Sequence, residues 1–249
     1  MKKITLLLVL FTSLLSAQTV EELFTQANKA YKEAKYNEAI ELYQKIEAEG
    51  KISSELYFNL GNSYYKLNKV APTIYNYEKA LRLDPLNKDA ANNLVFAKRL
   101  TLDAIEELPK TFLQKLNENY LQKLSYNQWA IVVVIFSFLA ALLFLLFYFS
   151  VTSSRKRLYF VTSILSFLLL IFSLVITYNQ YTFYKNNVQA IIFAEKAEVK
   201  NAPTLNSEDV FTLHEGTKVK VLDEVDNWKK IKLADGKIGW IIASELKVL

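Results

Sequence analysis

Three apolar stretches interrupt an otherwise polar chain, and the first lies at its start. This run extends from Ile4 to Leu15, between two lysines and the small residues Ser16 and Ala17. It is too short to cross a bilayer, because a spanning helix needs about 20 apolar residues. A charged start, a short apolar centre and a small-residue end are typical of a secretory signal peptide. We therefore predict a signal peptide over residues 1–17; Leu15 departs from the small-residue rule at the cleavage site, which leaves retention as an anchor open.

The other two apolar stretches are long enough to span a membrane. Residues 129–151 and 158–178 contain no charged residue, and as helices they would measure about 34 and 31 Å. The pattern predicts two transmembrane helices. Because only residues 152–157 separate them, we expect an antiparallel hairpin with a short loop.

Charge predicts how this hairpin is oriented. The loop contains Arg155, Lys156 and Arg157, and such clusters are retained in the cytoplasm. The net charge of +5 arises from this cluster and from the two lysines near the start, whereas residues 18–128 and 179–249 are each neutral. The distribution argues against a nucleic-acid surface. We expect an inner-membrane protein whose N-terminal and C-terminal domains are both periplasmic, with membrane lipid as a partner and no nucleic acid.

The N-terminal polar region contains a 34-residue repeat. Residues 20–53 align with residues 54–87, pairing Ala27 with Gly61 and Tyr43 with Tyr77. This spacing and pattern resemble the tetratricopeptide repeat, which has two antiparallel helices per unit. Small residues would let paired helices approach closely, and the tyrosines would fill the space between units. We predict a tetratricopeptide repeat domain over residues 18–100, with a capping helix after the second unit.

The resemblance to tetratricopeptide repeats implies a groove that binds other proteins. Some of the positions that usually line it are expected to be ordinary solvated side chains. The candidate protein-binding residues at these positions are Asn28, Tyr31, Lys32, Phe58, Asn62, Tyr65 and Lys66.

The segment between the repeats and the first span, residues 101–128, contains a second helical pattern. Phe112, Leu116, Tyr120 and Leu124 recur every four residues, which predicts an amphipathic helix. Two placements fit: the helix lies in the membrane interface, or it packs on the preceding domain.

The C-terminal region has the period of β-strands. After a linker over residues 179–188, short alternating segments are separated by turn residues such as Asp235-Gly236, which predicts five or six strands in a small barrel. The order of residues over 189–249 resembles bacterial SH3-like domains. Trp228 and Trp240 are expected in its core, and His214 in a turn before a strand.

Composition excludes several classes of site. The chain has no Cys and one His, so thiol chemistry and a two-His metal site are ruled out. Its five glycines argue against glycine-rich phosphate loops. We expect a protein that is not an enzyme and has no cofactor, no metal site and no catalytic residues.

The complete layout resembles the BatE proteins of the Bacteroides aerotolerance operon. The most specific stretches are residues 92–101 and 103–106, which lead through Leu108-Pro109 towards the first span. The resemblance implies a member of an envelope complex with von Willebrand-type (VWA) Bat membrane proteins. The fold class expected is multidomain α plus β: a helical repeat stack, a two-helix transmembrane hairpin and a small all-β SH3-like barrel. The function expected is a scaffold or adaptor, and the alternative is a membrane protein that binds peptidoglycan peptides.

Overall fold

The computed structural model describes residues 19–249 and confirms the multidomain α plus β fold class. It contains a helical repeat region, two long apolar helices and an antiparallel sheet of seven strands. The signal peptide predicted over residues 1–17 lies outside the described residues.

The repeat region is a stack of helices joined by short turns. Each helix begins at the end of the polar turn before it, and Thr19, Ser53 and Asn87 cap α1, α3 and α5 by accepting a hydrogen bond from a backbone N–H in the first turn. The stack consists of α1 (Val20–Lys32), α2 (Tyr36–Ala48), α3 (Ser54–Lys66), α4 (Val70–Leu83) and α5 (Lys88–Lys98).

The two repeat units pack in the same way. Ala27 and Tyr43 are buried in the first unit, as Gly61 and Tyr77 are in the second. A Cβ atom on Gly61 would lie 2.5 Å from the Tyr77 ring, which is closer than carbon atoms approach. The glycine therefore allows α3 and α4 to approach closely, as the sequence predicted.

The two apolar helices form an antiparallel hairpin whose four helix ends all differ from those of the predicted spans. Helix α7 comprises Tyr126–Phe149 and α8 comprises Ser153–Asn186, and both are long and apolar enough to cross a membrane. The connecting turn is shorter than the loop predicted over residues 152–157, because Arg155, Lys156 and Arg157 lie in the first turns of α8. The predicted linker over residues 179–188 is largely helical, since no Pro or Gly interrupts α8 before Asn186.

The amphipathic segment is divided into two short elements. Helix α6 (Phe112–Asn119) begins with a capping box between Thr111 and Gln114, and a 3₁₀ turn follows at Leu121–Lys123. The helix is therefore shorter than predicted from the recurrence of Phe112, Leu116, Tyr120 and Leu124.

The C-terminal region forms one antiparallel sheet with the strand order β3-β2-β6-β5-β4-β1-β7. Seven strands exceed the predicted five or six, because the first and last are too short to give a clear alternation. Its core contains alternate residues of several strands, among them Val199, Leu213 and Ile231. The strands are β1 (Gln189–Ile192), β2 (Lys196–Lys200), β3 (Asp209–His214), β4 (Lys218–Val225), β5 (Trp228–Lys232), β6 (Ile238–Ile242) and β7 (Leu246–Val248).

Candidate protein-binding surfaces

Helices α1, α3 and α5 are joined side by side by a ladder of amide and hydroxyl hydrogen bonds. In its first rung, Asn28 Oδ1 accepts from the Tyr43 hydroxyl at 2.6 Å and from Asn59 Nδ2 at 3.2 Å. The same arrangement recurs one repeat later, in a second rung of Asn62, Tyr77 and Asn93. We call the surface formed by α1, α3 and α5 the ladder face. The rungs show that α5 continues the repeat as the first helix of an incomplete third unit.

The seven candidate residues all lie on α1 or α3 of the ladder face, but they differ in exposure and in the contacts that they make. The side-chain oxygens of Asn28 and Asn62 are occupied by the ladder. Phe58 is half-buried against the Tyr77 ring, with centroids 6.1 Å apart. Tyr31 packs edge-on against Tyr36 at 5.5 Å. These four residues therefore have packing roles that the sequence pattern alone does not reveal.

The remaining three candidates, Lys32, Tyr65 and Lys66, are exposed. Within residues 19–249, no carboxylate lies in ion-pair distance of either lysine. Both lysines occupy the last turn of their helix, 34 residues apart. The ladder face thus presents two cations at equivalent positions of the two repeats, together with the exposed ring of Tyr65.

The opposite side of the stack is covered by the seven-stranded C-terminal domain, which we call the barrel. Ile191 of β1 is fully buried in a cluster with Ile74, Tyr75 and Leu94 of the stack. The Tyr75 ring meets Phe193 edge-on, with centroids 5.6 Å apart. Because stack and barrel share an apolar core, they form one unit on the same side of the hairpin.

A buried carboxylate lies in this contact between stack and barrel. Glu78 Oε2 accepts a hydrogen bond from Lys218 Nζ at 2.6 Å, and its Oε1 lies 3.3 Å from Lys98 Nζ. Burial alone would raise the pKa of Glu78, but the two ammonium groups outweigh it and hold the pKa below its ordinary value. The carboxylate is therefore ionised and joins α4, α5 and β4.

The chain segment after the stack also holds the barrel. We call residues 101–109 the strap. Asp103 accepts three hydrogen bonds, from the His214 backbone N–H at 2.7 Å, from His214 Nδ1 at 2.7 Å and from the Thr217 hydroxyl at 2.6 Å. Since a carboxylate only accepts, the His214 ring carries a proton on Nδ1.

The strap continues along the barrel beyond Asp103. Ile105 packs against the barrel core, and the Leu108 backbone N–H donates to the Ala234 carbonyl at 3.1 Å. The strap thus lies on the barrel as a bound peptide would, with one carboxylate, one apolar side chain and one backbone hydrogen bond.

His214 is the last residue of β3 and immediately precedes the turn at Glu215–Gly216. The expectation that His214 lies in a turn before a strand was wrong, because the residue ends β3 and the turn follows it. Its acidic partner, Asp103, is 111 positions away, so local sequence inspection finds no partner. Because the carboxylate also binds a backbone N–H and a hydroxyl, the arrangement anchors the strap.

The two barrel tryptophans differ in environment. Trp228 is buried, as predicted. Trp240 is only partly buried, between the buried Gly239 and Ile241, and Lys230 Nζ lies 5.7 Å from its ring centroid. Alternation along β6 therefore directs Trp240 outwards, contrary to the expectation that it belongs to the core.

Gly216 is expected to be required for docking of the barrel. Its φ is +85°, and a Cβ atom would lie 2.9 Å from Thr101 Cγ2, 2.9 Å from Val70 Cγ1 and 3.0 Å from Ile74 Cδ1. Replacing Gly216 with alanine should cost about 2 kcal/mol of unfolding free energy, from backbone strain and overpacking together. Thermal or denaturant unfolding of the full chain in detergent measures the loss.

Gly50→Ala is the matched control for Gly216→Ala. Gly50 has a φ of +74°, and nothing lies within 4 Å of its added Cβ, so this variant reports backbone strain alone. An equal loss in the two variants would contradict the crowded contact at Gly216.

Comparison with known families identifies two domain types in the chain. A model of the tetratricopeptide repeat matches residues 54–87, the second predicted unit. A model of the bacterial SH3 domain matches residues 195–247, within the predicted barrel. No curated protein matches the chain. Both domain types suggest binding to proteins or to the cell wall.

Proposed function

We propose that this protein is a non-enzymatic membrane scaffold that binds a partner protein through the ladder face. The observation that supports this proposal is the contact between stack and barrel. Because the barrel covers α4 and part of α5, the second repeat's outer helix is occupied within the chain. The helices that carry Lys32, Tyr65 and Lys66 are left for a partner.

The membrane orientation that we propose rests on the charges at one end of the hairpin. The cluster of Arg155, Lys156 and Arg157 lies in the first turns of α8, at the end of the hairpin away from stack and barrel, and a cluster of this kind favours the cytoplasmic side. On this basis stack and barrel are periplasmic and the hairpin lies in the inner membrane. A periplasm-dependent reporter inserted after Val151 should be inactive, and one after Leu249 active; the reverse pattern would invert the topology.

Partner chemistry follows from the exposed side chains. Lys32 and Lys66 favour acidic groups, and Tyr65, next to Lys66 in the chain, offers an exposed aromatic ring. We propose an acidic segment of another envelope protein as the partner. The resemblance to BatE proteins adds a specific candidate, a VWA-type Bat membrane protein.

Charge reversal on the ladder face tests the scaffold proposal. Lys66→Glu should reduce recovery of the partner from native membranes about tenfold, because it places like charges together. The readout is affinity purification of the tagged full chain, with mass spectrometry identifying a VWA-type membrane protein.

Lys45→Glu provides the matched control for this charge reversal. Lys45 also lies in the last turn of its helix and is exposed, but it belongs to α2. Equal recovery by the Lys66→Glu variant and the unaltered chain would reject the ladder face as the binding surface.

The similarity to bacterial SH3 domains over residues 195–247 supports a second candidate function, binding of peptidoglycan peptides. The outward Trp240 and the nearby Lys230 offer an aromatic and cationic surface for it. The full chain in detergent should then cosediment with cell-wall sacculi, and Trp240→Ala should weaken this. If the sacculi sediment without the protein, binding of peptidoglycan peptides is rejected as a function. The full chain is the correct sample, since Ile191 of the barrel is buried in the stack.

A further inference from the structure

Helix α6 carries an apolar face that no part of the described chain covers. Phe112, Leu113 and Tyr120 are 77%, 74% and 70% exposed, and Leu116 is 41% exposed. At 100° per residue, Phe112, Leu113 and Leu116 fall within one stripe of about 100°, and Tyr120 is the C-cap residue at the end of the helix. No residue of α6 is buried. The helix therefore does not pack on the stack, which was one of the two placements that the sequence left open.

Two hydrogen bonds hold this segment at one end of the hairpin. Gln180 Nε2 of α8 donates to Asn117 Oδ1 at 3.2 Å, and Trp129 Nε1 of α7 donates to the Leu121 carbonyl at 2.9 Å. Helix α7 begins at Tyr126, within a few residues of the segment. The apolar stripe thus lies at the level where the first span begins.

The polar side of α6 is consistent with this position. Asn117 faces α8, where a groove of 280 Å³ separates the two helices and none of the four apolar residues lines it. Glu118 forms an ion pair with Lys110 at 2.9 Å, and Lys115 is exposed beside the stripe. The helix is bound to the hairpin by a polar contact, so its apolar side points elsewhere.

We propose that α6 lies in the plane of the membrane and inserts the stripe of Phe112, Leu113 and Leu116, together with Tyr120, into the lipid surface beside the hairpin. The lipid bilayer is the occupant because hydrogen bonds to Trp129 and Gln180 hold this segment, with its exposed apolar side chains, beside one end of the two apolar helices. Interfacial helices of this kind bury their apolar face about 5–10 Å into the headgroup and acyl boundary. The inference rests on the proposed insertion of the hairpin. It adds a third contact with lipid, which would fix the tilt of stack and barrel above the membrane.

The absence of cysteine allows a direct test by site-specific labelling. Phe112→Cys and Leu116→Cys, each labelled with an environment-sensitive fluorophore in lipid nanodiscs, should lose fluorescence to lipids that carry a shallow nitroxide. They should resist iodide in water. Lys115→Cys, on the same helix, should lose fluorescence to iodide and little to the lipid quencher.

Leu142→Cys, in the middle of α7, separates failure of this inference from failure of hairpin insertion. Quenching of a Leu142 label by deep nitroxide lipids, with residues 112 and 116 quenched only by iodide, would overturn the inference and leave insertion standing. No lipid quenching at residue 142 would overturn both. Shielding of residues 112 and 116 from both quenchers would show that protein covers the stripe, which also rejects the lipid surface.

Discussion

Replacing Asp103 with asparagine should cost about 3 kcal/mol of unfolding free energy at neutral pH. The carboxylate accepts from the His214 backbone, the His214 ring and the Thr217 hydroxyl, all within 2.7 Å. A hydrogen bond to a charged group contributes about 1.5–3 kcal/mol net. The NH2 group of the new asparagine side chain would also face one of the groups that now donate to the carboxylate. Hydrogen exchange should rise in β3 and the β3–β4 turn, where the strap is attached.

The stability lost in Asp103→Asn should depend on pH. Burial would raise the pKa of Asp103, but hydrogen bonds from His214 and Thr217 outweigh it and lower the pKa below its ordinary value. Because folding lowers the pKa of Asp103, its carboxylate stabilises the fold fully at pH values above the unfolded-state pKa of about 3.9. This stabilisation is lost as the pH falls through the folded-state pKa. The unfolding temperatures of the unaltered chain and the variant should therefore differ at pH 7, and the difference should shrink as the pH falls below about 4.

Asp209→Asn controls for the loss of one charge on the same barrel. Asp209 lies 2.7 Å from Lys200 Nζ, but half of its side chain is exposed, so its replacement should cost at most about 1 kcal/mol. A comparable loss in the two variants, or a pH-independent loss at Asp103, would contradict the anchoring role of the strap.

The local periods in the sequence predicted the elements but not the contacts between them. The 34-residue repeat followed from Ala27, Gly61 and the tyrosines because close helix packing demands small residues at fixed spacing. The hairpin followed from uninterrupted apolar runs. Its ends were less predictable because helices extend into polar sequence wherever no Pro or Gly stops them, as α8 does up to Asn186.

Docking of the barrel on the stack escaped prediction because its residues are far apart in the chain. Glu78 and Lys218 are 140 positions apart and have no local pattern. Two features could have drawn attention to it: an acidic residue in an otherwise apolar helix face of α4, and the Asp103 to Glu106 stretch singled out by the family resemblance. Neither feature identifies its partner without a structure.

The candidate protein-binding residues show the same limit. Repeat positions located all seven on α1 and α3, but they did not separate the ladder residues Asn28 and Asn62 from the exposed lysines. The distinction depends on hydrogen bonds to other helices, such as that of Asn59 to Asn28. Whether the exposed residues bind a partner stays a prediction.

A second charge substitution, Glu78→Gln, alters the contact between stack and barrel. Its control is Glu224→Gln, which removes an exposed carboxylate from an ion pair of the barrel. Glu224 pairs with Lys229 at 2.7 Å, and 58% of its side chain is exposed. Removing its charge should change the free energy of unfolding by at most about 1 kcal/mol.

Glu78→Gln should cost about 3 kcal/mol and loosen the barrel from the stack. Only 9% of the Glu78 side chain is exposed, so its removal leaves Lys98 and Lys218 close together without a counter-ion. Breaking a buried ion pair typically costs about 3–5 kcal/mol, and the partial exposure of both lysines places the loss at the lower end. Hydrogen exchange should accelerate in α4 and β1 together, because Ile191 of β1 is buried against α4. Acceleration confined to one of them would mean that the apolar contact holds stack and barrel together without the carboxylate.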